Sequence, residues 1–129
     1  MRKHLLMIVL LLALRPTIAM SIDEEFEAER KANPRGAQAA FCFAFAMILL
    51  AEEPEGKPPD KTTSLVIERS VKQGIAAYGD DTLFRLKSSS VVTRFMQNVR
   101  VLQRVDPAGA YSVLASMRKQ VLTCSKALL

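Results

Sequence analysis

The side chains able to do nucleophilic, acid–base or metal chemistry are few in this chain, and their spacing limits what they can build. Two cysteines, Cys42 and Cys124, stand 82 positions apart. The single histidine, His4, lies in the basic stretch Met1-Arg2-Lys3-His4. Carboxylates gather at Asp23 to Glu29, at Glu52 to Glu55 and at Asp80-Asp81. Imidazole is the commonest general base, the usual metal ligand and the usual activator of a Ser or Cys nucleophile. If His4 is removed with a leader, none of these roles has its ordinary side chain. None of the acidic groups has the spacing of a calcium loop, and capping or loop solubility accounts for them. There is no Gly-rich phosphate loop, no Ser elbow and no CxxC pair, and a Ser/Lys dyad would be satisfied by any Ser and any Lys. The reading is therefore no enzyme, no metal site and no cofactor.

Residues 1–19 have the three-part layout of a secretory signal peptide. A basic start is followed by the apolar run Leu5 to Leu14 and then by Arg15-Pro16-Thr17-Ile18-Ala19, with cleavage expected after Ala19. A spanning helix needs about 20 apolar residues, and Arg15 ends this run too early, so an uncleaved anchor is the weaker reading. Removal takes Arg2, Lys3 and Arg15 and lowers the formal charge from +5 to +2. Residues 20–129 are left as one helical domain in the periplasm or outside the cell, since half of the 129 residues are apolar and 24% are charged.

Helices must position whatever this domain presents. Ser21-Ile22-Asp23-Glu24 has the form of a capping box, and a first helix should run to about Ala32, where Asn33-Pro34-Arg35-Gly36 breaks it. The 13 apolar residues Ala39 to Ala51 would span only about 20 Å as a helix, short for a bilayer, so they predict a buried central helix. Glu52 to Asp60 reads as an exposed loop. Asp60, Thr62 or Thr63 then caps a helix carrying Ile67, Val71, Ile75 and Tyr78 on one face, with Gly74 at a close approach and Gly79 as its end. Asp80-Asp81 opens the next helix, which Ser88-Ser89-Ser90 interrupts or recaps. Beyond it, Val91, Val92, Phe95, Met96, Val99 and Leu102 form an apolar face with Arg94, Gln97, Arg100 and Arg104 opposite. Asp106-Pro107 starts the last helix, striped by Ala110, Leu114, Met117, Val121, Cys124 and Leu128. The fold class is thus an all-α bundle of about five helices. Cys42 and Cys124 both point inward, and in an exported chain they predict one disulfide in preference to two free thiols.

Charge is uneven. Residues 20–60 hold 9 acids and 4 bases, and residues 61–129 hold 4 acids and 11 bases. Either the acidic half folds against the basic half, or Arg94, Arg100 and Arg104 present a basic surface to an acidic protein partner. Two Tyr and no Trp in an exported chain give little to stack on bases, so nucleic acid is not an expected partner.

The layout resembles the small helical periplasmic immunity proteins of the Rap/Tai kind, which neutralise peptidoglycan amidase effectors delivered by type VI secretion. It is similar in having a signal peptide, an early helical Cys among small and apolar residues (Phe41-Cys42-Phe43-Ala44-Phe45), and a second Cys near the end (Leu122-Thr123-Cys124-Ser125). The Gly-Tyr pair that often follows the first Cys in part of that group is absent here, and no inhibitory residue carries over. The resemblance implies a protein-binding immunity role. Two other classes fit the same composition: an acid-activated envelope stress chaperone and a small subunit of an envelope secretion or surface assembly.

Overall fold

In the computed structural model, residues 24, 26–52, 56, 58 and 60–128 are described. The leader 1–19 and the Ser21 cap lie outside these residues. The described residues form five helices and no strand. Residues 26–32 are α1, followed by α2 (Pro34–Glu52), α3 (Lys61–Tyr78), α4 (Asp81–Val105) and α5 (Pro107–Ala127).

Asn33 separates α1 from α2 and serves both. Its backbone N–H donates to Glu29 O at 2.7 Å, closing α1, while its side-chain Oδ1 accepts from Gly36 N at 3.0 Å, capping α2. With that cap in place Pro34 sits in the first turn, where a missing N–H does no harm, so α2 starts five residues before Ala39. Gly36 therefore lies within α2. A Cβ there would come within 2.7 Å of the Tyr78 ring, and the glycine allows α2 and α3 to meet.

The central position predicted for this segment holds. Ala39, Ala44, Ala46 and Ile48 are fully buried, and α2 packs on α3, α4 and α5. By length and composition α2 is long and apolar enough to cross a membrane, and over half of its apolar stretch is buried in the bundle. Phe41, Phe43 and Phe45 alternate as a strand would; on a helix they radiate to different neighbours, Phe43 to Phe84 at 5.8 Å and Phe45 to Phe95 at 5.4 Å between ring centroids.

Asp60 precedes α3 but makes no side-chain cap bond, and Gly79 ends the helix at φ 72° with its N–H on Ile75 O. Gly74 lies against the Phe84 ring so closely that a Cβ would collide with it, which is the close approach expected there. Ser88 to Ser90 neither interrupt nor recap α4, which runs unbroken for 25 residues. The buried Ser88 hydroxyl donates to Phe84 O at 2.8 Å, one turn back, so its polarity is satisfied inside the helix. Asp106 ends α4 through its N–H on Leu102 O and starts α5 by accepting from Gly109 N at 3.0 Å.

Short joints at Gly79-Asp80 and Asp106 reverse the chain, and long-range bonds fix which ends meet. Asn33 Nδ2 donates to Ala77 O, Gln103 Nε2 to Glu52 Oε2, and Gln73 Nε2 to Leu128 O. The helices therefore alternate in direction from α2 to α5. Ala110, Met117, Val121, Cys124 and Leu128 are buried as the stripe on α5 requires, with Leu114 partly covered. Cys42 and Cys124 are bonded, with Cα atoms 5.9 Å apart, and tie α2 to α5 through the middle of the core.

Candidate functional site

The three arginines of the predicted basic face differ in exposure: Arg94 is partly buried, Arg100 and Arg104 are exposed. Arg94 and Arg100 are six positions apart, which at 3.6 residues per turn places them roughly 120° apart around α4. Arg100 and Arg104, at i and i+4, are exposed on the outside of the bundle with Val101 (48% exposed) and Val105 (74%) beside them. Arg94 instead turns towards α1, borders a cavity of about 470 Å³ and has Nη1 buried. The surface left for a partner on α4 is thus Arg100 and Arg104 with two valines, and Arg94 belongs to a different part of the molecule.

That part is the cleft under α1. Phe26 packs against Phe41 with the rings tilted and centroids 4.0 Å apart, Phe41 meets Phe95 at 5.8 Å, and the Arg30 guanidinium lies 5.9 Å from the Phe26 ring centre. One turn on, the Glu29 carboxylate bridges two other helices. It pairs with the Lys87 ammonium of α4 and accepts from the Tyr78 hydroxyl of α3 at 3.2 Å. Partial burial pushes the Tyr78 phenol up to about 12, and the charge and hydrogen bond of Glu29 act in the same direction because both oppose a phenolate.

Cavities of about 470, 380 and 410 Å³ each border on both Phe26 and Phe41. The walls are mostly apolar: Ala37, Ala40 and Val91 on one side, Phe45, Phe95, Val113 and Met117 on the other. Such volumes and linings are those of ligand- or side-chain-binding clefts. Among the described residues no three or more His, Cys, Asp or Glu side chains come together as a metal site would require.

Sequence reading left Glu29 within an acidic cluster, Tyr78 within an apolar face and Lys87 unassigned. The available signal was the pair Phe26 and Glu29 at i, i+3 on a short helix, one apolar and one acidic group on neighbouring positions of a single face. Comparison with known protein families, with characterised proteins and with solved structures finds no match.

Proposed function

We propose that the chain is a small exported helical binding protein, and that its role is that of an immunity or inhibitor protein neutralising a cell-wall-targeting effector. The observation that carries the reading is the Cys42–Cys124 bond at the centre of the bundle. Disulfides persist in oxidising compartments, which agrees with the leader-like residues 1–19, and a stapled bundle offers a preorganised surface to a partner. On that surface Arg100 and Arg104 stand exposed beside Val101 and Val105, a cationic and aliphatic face complementary to an acidic protein.

Affinity capture of the tagged protein from envelope extract, washed at moderate salt, tests this. A single near-stoichiometric partner, released when Arg100→Glu and Arg104→Glu are combined, is the expected result. A broad mixture of proteins that grows as pH falls contradicts it and supports the stress-chaperone reading. The aromatic cluster under α1, which such a chaperone would expose, is the observation favouring that second reading.

A further inference from the structure

We propose that α1 is a built-in occupant of a helix-docking cleft, and that the cleft takes from a protein partner a helix presenting a large apolar side chain and, three residues on, a carboxylate. The inference rests on the binding-protein reading and adds to it the place and chemistry of the contact.

Three observations lead there. The buried cluster of Ile48, Val66, Val99, Met117, Val121 and the disulfide draws on α2 to α5 and includes no residue from 26–32. Phe26, by contrast, is only partly buried and borders three cavities, so the ring does not fill the cleft in which it sits. The polar hold on α1 is short and local. Glu29 engages Lys87 and Tyr78, and the Asn33 bond to Ala77 anchors the hinge.

What α1 presents defines what the cleft accepts. Phe26 supplies an apolar anchor against Phe41, and Glu29, on the same face of the helix, supplies the charge that meets the Lys87 ammonium and accepts from the Tyr78 hydroxyl. A partner helix with the same pair makes the same contacts, and a bulkier anchor fills space that Phe26 leaves. Because α1 must leave first, the intact protein binds with an affinity lowered by the fraction of time the cleft is open.

The test uses a fluorescently labelled peptide of residues 23–33 as the partner helix. Its binding is measured by anisotropy to the exported protein and to its Phe26→Ala and Glu29→Lys variants, whose folding is checked by thermal melting. The expected result is binding at least about tenfold tighter to either variant than to the unaltered protein, since each weakens the internal competitor. Binding should be lost when the peptide itself carries Phe26→Ala. Equal affinity for all three proteins, or indifference to the change in the peptide, overturns the proposal. So does uptake of dodecanoate by the variants without uptake of the peptide, which would make the cleft an acyl-chain site. The two readings fail separately. A captured envelope partner whose retention is unchanged by opening α1 removes the cleft and leaves the binding-protein reading. Peptide binding with no captured partner does the reverse.

Discussion

The α2–α5 core and the α1 corner are built by different means. In the core, side chains from four helices are at most 8% exposed, the bridging bond is covalent, and glycines at 36 and 74 let aromatic rings lie directly on backbone. At the corner, the helix described over residues 26–32 is held by one partly covered ring, one carboxylate with two partners and one hinge asparagine, with cavities bordering the ring. Close packing and a cross-link give stability that is lost only with the fold, whereas partly exposed polar contacts give an element that opens by itself. The contrast sets close packing in the scaffold against a lightly held helix next to a cleft.

Breaking the core should produce the largest effects. Replacing Cys42 and Cys124 by Ala removes a link between positions 82 apart, and is expected to lower unfolding free energy by about 4–5 kcal/mol in urea melts, on the loop-entropy model. Gly74→Ala forces a methyl into the Phe84 ring and should cost about 1–3 kcal/mol, the range for overpacked cores. At the corner the same kind of measurement should give less. Phe26→Ala is expected to fall below the about 3–5 kcal/mol typical of a fully buried Phe, because the ring is only partly buried and borders existing cavities. A Phe26→Ala effect as large as the disulfide's would erase the distinction between the two regions.

The smallest effect is a pH dependence. Tyr78 has its proton held more tightly in the folded protein than in the unfolded chain, from 10.0 to about 12, so its contribution to stability is complete below pH 10 and is lost as pH rises through 12. Alkaline melting curves of Tyr78→Phe should lack that part of the decline. A decline unchanged by the substitution would separate Tyr78 from the Glu29 latch.

Much of this fold can be read in the residues because its signals are local. The Asp106-Pro107 cap, the Gly79 ending and the Cys124 stripe each depend on a few neighbouring positions and appear where their spacing puts them. Two features read differently once packed. Asn33 and Pro34 break a helix and at once begin another, since the asparagine amide caps the second; sequence shows the break but not the restart. The serine triplet stays helical because a buried hydroxyl finds the Phe84 carbonyl one turn back. The corner was the least legible. Tyr78 and Lys87 are 49 and 58 positions from Glu29; the return of α3 along α2 brings Tyr78 to it, and the turn at Gly79-Asp80 then brings Lys87. The helical count alone does not separate Arg94 from Arg100 and Arg104; what sets it apart is partial burial beside the cleft under α1, which sequence spacing does not show.

Native-state hydrogen exchange, residue by residue, bears most directly on the separation of α1 from the core. The amides of residues 26–32 should exchange through a local opening at a free energy well below that of global unfolding. Those around Cys42, Val66, Val99 and Val121 should exchange only with the whole molecule, and reduction of the disulfide should lower the second set far more than the first. Protection of α1 equal to that of the core, falling in step with it on reduction, would contradict the account and make α1 an ordinary member of the bundle.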